Sequence, residues 1–125
     1  MKRPWTTVPK IWGREIILHD GDYCAKFLQY DGPYTSSEHY HQYKHETFVV
    51  TRGEFSIMWY DFNDRTDLIH TQNFKPGELL VLPPFTVHRI TCTHPEGGVI
   101  FEASSVEDPN DCVRLAPSIN PHGQG

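Results

Sequence analysis

The chain has no long apolar run, no excess of positive charge and no cysteine pattern, and each absence removes a class of protein. Mean hydropathy is −0.52, and no stretch approaches the ~20 apolar residues that a membrane-spanning helix needs. The basic start Met1-Lys2-Arg3-Pro4-Trp5 leads into no apolar core of a secretory signal, so none is read. Lys and Arg number 11 against 16 Asp and Glu, a formal net charge of −5, and the sequence pI is ≈ 5.8. That balance speaks against nucleic acid or an anionic membrane as partner. Cys24, Cys92 and Cys112 are odd in number, widely spaced and without a CxxC pair. They suit reduced thiols in packing roles and a cytoplasmic setting. There is no G-x-S-x-G elbow, no P-loop, no dinucleotide-binding glycine pattern and no internal repeat.

What is present is short and strand-like. At 125 residues the chain makes one domain with one core. Segments rich in β-branched and aromatic residues read as strands: Glu15–Leu18, Tyr23–Tyr30, His39–His41, Glu46–Thr51, Glu54–Asp61, Asp67–Phe74, Glu78–Leu82, Val87–Thr93 and Gly98–Ser104. Between them lie turns drawing on 10 Pro and 9 Gly. This spacing predicts an all-β antiparallel sandwich or barrel. Glu78-Leu79-Leu80-Val81-Leu82 is apolar almost throughout and is read as covered on both faces. The one helical candidate is a short turn near Pro109–Cys112. The ends are irregular in composition, which divides the chain into an arm (1–14), a barrel (15–116) and a flexible tail (117–125).

His39 and His41 stand two apart, so on a strand both imidazoles leave the same face and can grip one ion. Glu46 follows five residues on, and His88 lies on another strand. The odd step from His41 to Glu46 cannot keep one face, so a turn through Gln42–His45 must intervene. Glu46, Phe48 and Val50 share a face, as do His88, Ile90 and Cys92. Glu46 and His88 therefore each head an otherwise core-facing row. Three imidazoles and a carboxylate suit divalent Mn, Fe, Co, Ni or Zn better than Ca or Mg.

The pattern Gly32-x6-His39-x-His41-x4-Glu46-x6-Gly53, with Gly77-x5-Pro83-x-Phe85-x2-His88, resembles the paired signature motifs of the cupin superfamily. The resemblance implies a single-domain antiparallel jelly roll, and carries the metal-ligand role onto His39, His41, Glu46 and His88. The chain departs from the pattern in three places. Phe85 stands where the family has glycine, Cys92 stands where it often has Asn, and the spacer after Gly32 is one residue longer.

A more local resemblance joins Lys10-x-Trp12-Gly13-x-Glu15, Phe101-Glu102-Ala103-Ser104 and Cys112-Val113-Arg114-Leu115 to mannose-6-phosphate isomerase-like proteins. It implies a sugar or sugar-phosphate isomerase or epimerase. The competing reading of these segments has Trp12 plugging a barrel end and Arg114 pairing with an acidic neighbour. Isomerisation needs a group to carry a proton between adjacent carbons; the candidates are Glu102, His45 and Tyr43. Lys26, inward by alternation, is either solvated or the holder of an anionic group. Glu102 could equally face solvent, because Val99, Phe101 and Ala103 make the more apolar face of its strand. His19, His70, His94 and His122 read as exposed, and Glu107-Asp108 with Asp111 reads as a hydrated loop. The alternatives are an Fe(II)-dependent dioxygenase, which the same ligands suit, and a non-catalytic sugar-binding module. The expected partners are a small-molecule substrate and, through edge strands, a second copy in a homodimer.

Overall fold

The computed structural model describes residues 1–64, 66 and 68–119. Eleven strands run β1 (Thr6–Lys10), β2 (Gly13–Asp20), β3 (Cys24–Tyr30), β4 (Glu38–His41), β5 (Glu46–Arg52), β6 (Phe55–Asp61), β7 (His70–Phe74), β8 (Leu79–Leu82), β9 (Thr86–Cys92), β10 (Gly98–Ser104) and β11 (Cys112–Ala116). They form a six-stranded sheet, order β1-β2-β3-β10-β5-β8, facing a five-stranded sheet, order β11-β4-β9-β6-β7. All pairings are antiparallel. This is the expected jelly-roll sandwich, and no helix occurs among the described residues. At Pro109 the chain makes only a turn, closed by Asp111 N–H donating to Asp108 O at 2.9 Å.

Several expectations are corrected. Part of the N-terminal arm is ordered: Thr6–Lys10 pairs with β2 as an edge strand, where Pro9 can sit because an outer edge needs no N–H. In the tail, Ile119 N–H donates to Thr35 O at 3.1 Å, while 120–125, including His122, lie outside the described residues. β7 begins at His70; Asp67, where it was expected to start, also lies outside them. β8 is covered on one face only, with Leu79 56% and Val81 59% exposed, because it is the last strand of its sheet and nothing packs behind it.

Alternation divides the interior into two zones. The inward rows read Lys26–Leu28–Tyr30 on β3, Glu46–Phe48–Val50 on β5 and His88–Ile90–Cys92 on β9, and all of these are buried. On β10 the order is reversed, Ile100 then Glu102. Register sets Lys26 opposite Glu102 and Leu28 opposite Ile100, and Val50 opposite Ile100, with Phe48 opposite Glu102 where the two zones meet. One end of the sandwich is thus packed by Phe55, Ile57, Phe74, Val50 and Ile100. The other end gathers the buried charges.

The turn into β10 shows how tightly the apolar end closes. Gly97 has φ +87°, and a Cβ there would lie 2.1 Å from Tyr30 O. Gly77 has a similar φ, +90°, with nothing within 4 Å. Gly97→Ala should therefore destabilise by roughly 3 kcal/mol and Gly77→Ala by only about 1 kcal/mol in urea unfolding. Equal losses would mean that backbone conformation alone, without the clash, sets the cost.

Candidate metal centre and the cavity around it

β4 delivers His39 and His41 to one face, and His39 stands directly opposite His88 of β9. Ring centroids are 5.1 Å apart for His39–His41, 4.5 Å for His39–His88 and 6.0 Å for His41–His88. One nitrogen from each ring lies within 4.8 Å of the others. The opposite ring edges are committed elsewhere. His88 Nδ1–H donates to Thr86 O at 3.0 Å, and His39 Nδ1–H donates to Ser37 O at 3.2 Å beside the Ser37 hydroxyl at 2.9 Å. A carbonyl can only accept, so these contacts fix the tautomers and leave the Nε2 lone pairs facing inward.

Glu46 lies beside this group of three. Its Oε1 lies 3.5 Å from His41 Nε2 and its Oε2 3.4 Å from His88 Nε2. Burial pushes His88 down to about 4; burial, helped by Lys44, pushes His41 to about 3; burial, helped by His88, pushes His39 to about 2. Neutral imidazole nitrogens therefore face the Glu46 carboxyl across 3.4–3.5 Å. The three imidazoles fit a divalent transition ion by donor type and mutual distance.

Paired charges surround these donors. Lys44 Nζ lies 3.0 Å from Glu102, 3.3 Å from Glu46 and 3.5 Å from Glu107. Lys26 Nζ lies 3.0 Å from Glu107 and 3.2 Å from Glu15. Two ammonium groups thus face the four carboxyl groups of Glu15, Glu46, Glu102 and Glu107. Burial, with the Glu102 charge beside it, raises Glu46 to about 8. Against burial, Glu102 and Glu46 hold Lys44 above its ordinary range, and Lys26 and Lys44 hold Glu107 down to about 2.

These residues line a cavity of ≈ 270 Å³ that also exposes Trp12, Lys10 and Arg114. Trp12 is buried and stacks on Tyr30 with centroids 4.3 Å apart. Among the sequence candidates, Glu102 is buried and faces the cavity, where Ser104 Oγ donates to it at 2.8 Å; the apolar face of β10 is the outward one. Lys26 is buried rather than solvated, and the protein's own carboxylates occupy its ammonium. Tyr43, 78% exposed, and His45, also exposed, are not brought to the cavity. Arg114 makes no ion pair among the described residues. His19, His70 and His94 do not line the cavity.

Three residues of the site were not anticipated. Lys44 stands two before Glu46, and alternation alone would have placed both on one face. Glu107 folds inward to bridge the two lysines. Asp111, read as hydrated, is buried and accepts N–H bonds from Gln42 (2.8 Å), Tyr43 (2.9 Å) and Lys44 (3.1 Å). It thereby caps the turn that the His41–Glu46 spacing requires. Its Oδ2 is 3.9 Å from His41 Nδ1, a buried nitrogen with no hydrogen-bond partner. Phe85 takes the left-handed conformation itself, φ 63°, with its N–H on His41 O at 2.7 Å and its ring on Tyr40.

A two-sheet antiparallel shell holding a histidine cluster at one end defines the class. The sequence profile of the family described as Cupin matches residues 36–121, and the protein belongs to the cupin family. Among solved structures, CapF, the capsular polysaccharide assembling protein from Staphylococcus aureus, is similar at TM-score 0.79 and 20% identity, covering 93% of this chain and 33% of that one. KdgF from Halomonas sp. has TM-score 0.67 and 17% identity, covering 86% and 90%. Oxalate decarboxylase from Bacillus subtilis has TM-score 0.75 and 13% identity, covering 89% and 30%. At these identities the likeness shows the fold, and the chain spans about a third of CapF and of oxalate decarboxylase. No curated protein matches the sequence.

Two predictions follow from the site's electrostatics. In chelator-treated protein the depressed imidazoles contribute stability that is complete above about 6.5 and is lost as pH falls through about 4 and about 3. Glu46 acts oppositely: its contribution is complete below about 4.5 and is lost as pH rises through about 8. Three imidazoles outweigh one carboxyl, so thermal midpoints should fall as pH drops from 6.5 to 4.5, and His88→Gln should flatten the fall. A midpoint independent of pH across that window would contradict the burial of neutral rings. Separately, Asp111→Ala should cost roughly 3 kcal/mol in urea unfolding and weaken zinc affinity about tenfold or more in a chelator competition. Asp111→Asn, which keeps one acceptor oxygen, should fall between.

Proposed function

We propose that the protein is a metal-dependent enzyme acting on a carbohydrate, an isomerase or epimerase of a sugar or sugar phosphate. The observation that carries this reading is one cavity holding both a metal-competent donor set and a separate buried carboxylate, Glu102. His39, His41, Glu46 and His88 would hold a divalent transition ion. When bound, the ion would supply Lewis acidity toward adjacent carbonyl and hydroxyl oxygens.

Glu102 takes a proton from the carbon beside the carbonyl and returns it to the neighbouring carbon. Lys44 at 3.0 Å and Ser104 at 2.8 Å hold it in place for that task. Trp12 offers a ring face at the cavity wall for the sugar's apolar side. Arg114 is in register with His39 on the β11–β4 pair and so shares its face. With Lys10 it lines the cavity without an ion pair among the described residues, so both can receive a phosphate or carboxylate, the task that Lys26 cannot perform. CapF, named for capsular polysaccharide assembly, is in keeping with a carbohydrate substrate. Three free cysteines are in keeping with a cytoplasmic location.

The test is a screen of sugars and sugar phosphates in D2O with Mn-reconstituted protein, read by NMR. The expected result is interconversion with deuterium entering next to the carbonyl. Glu102→Gln should lose about 10²-fold or more in rate while keeping its metal, and His88→Ala should lose the metal. Oxygen uptake in place of interconversion would move the reading to an Fe(II) dioxygenase. Tight ligand binding without turnover would move it to a binding module.

A further inference from the structure

We propose that the connection between β10 and β11, residues 105–111, is a hinged lid over the metal-competent cavity, latched by the Glu107 side chain. Glu107, Asp108 and Pro109 supply part of the cavity wall, and the segment is neither helix nor strand. Its two ends are fixed to the turn between β4 and β5. At one end Ser105 N–H donates to His45 O at 3.0 Å, and His45 N–H donates to Ser105 Oγ at 3.0 Å. At the other, the Asp111 carboxylate takes the N–H groups of Gln42, Tyr43 and Lys44. Each end is thus held by several hydrogen bonds that do not depend on the residues between them.

The middle is held differently. Among the described residues, no backbone hydrogen bond ties 106–110 to the rest of the protein. Val106 is 54% exposed, and Asp108, Pro109 and Asn110 are exposed as well. What fastens this stretch is one carboxylate. Glu107 reaches Lys26 Nζ at 3.0 and 3.1 Å and Lys44 Nζ at 3.5 Å, and accepts from Cys24 Sγ at 3.4 Å. Both ammonium groups are buried, yet the Glu107 side chain keeps 28% exposure, so water can take its place. Each lysine also has a carboxylate carried by a strand, Glu15 for Lys26 and Glu102 for Lys44. Neither is left unpaired when Glu107 departs. An exposed stretch on a single polar tether opens more readily than a packed one.

The segment moves as one piece. Asp108 Oδ1 accepts Asn110 N–H at 2.9 Å and Asp108 O accepts Asp111 N–H at 2.9 Å, bonds internal to the segment that opening leaves intact. Lifting it uncovers the Lys26–Lys44 end of the cavity. Lys44 Nζ is 3.3 Å from Glu46, so the uncovered end adjoins the metal donors. Loops that open and close over a cavity in this way control entry and release. The lid rests on the cavity and its donors and is independent of the enzymatic reading.

Zinc alone is the probe, its entry and exit followed by stopped-flow exchange against a chromophoric chelator. Glu107→Gln removes the charge of the latch and keeps its size. Both rates should rise about tenfold while affinity stays within about threefold, since the change frees the lid and spares the ligands. Charge alone predicts the opposite sign, because losing a carboxylate slows a cation's approach. Glu15→Gln takes the other partner from Lys26 but leaves the lid latched, and should accelerate neither rate. In chelator-treated protein, ¹⁵N relaxation dispersion should report exchange within 106–110, larger in Glu107→Gln than in wild type. Zinc entry no faster in Glu107→Gln, acceleration equal in Glu15→Gln, or no exchange within 106–110 in either protein would each overturn the proposal. A wild type that takes up no zinc would count against the donor set, and the relaxation measurement would still decide the lid.

Discussion

The charged end of this protein is organised by three buried imidazoles held beside the Glu46 carboxyl. Thr86 and Ser37 engage the Nδ1–H groups of His88 and His39, which turns bare Nε2 lone pairs toward Glu46. Burial keeps those rings neutral and, with Glu102 beside it, raises Glu46 to about 8. Lys44 and Lys26 neutralise only part of the surrounding carboxylate charge. The centre is best understood as a set of metal-competent donors framed by strands.

That frame is made by two rules acting together. Alternation along β3, β5 and β10 sends every second residue inward, and register aligns the inward positions so that charges gather at one end and hydrocarbons at the other.

Much of this was legible in the sequence. The His39-x-His41 pair, the five-residue step to Glu46 and the rows headed by Glu46 and His88 gave the strands, the turn and the convergence. Period two says which residues share a face but not which face is inside. Glu102 therefore stayed ambiguous until register set it opposite Lys26, and Leu79 and Val81 passed for core although they are exposed. Asp111 could not be found by local pattern, because its partners are amides some 70 positions away in the chain. β1 escaped notice because Pro9, a poor strand residue in a sheet's interior, is acceptable at an edge.

The account's central claim is that three imidazoles and one carboxylate hold a single cation. Anomalous diffraction from crystals of zinc-soaked protein, collected on either side of the zinc absorption edge, tests it most directly. The account predicts one peak per chain, bonded to Nε2 of His39, His41 and His88 and to Glu46. It is contradicted if no peak lies there and Glu46 instead shares a proton with His41 or His88.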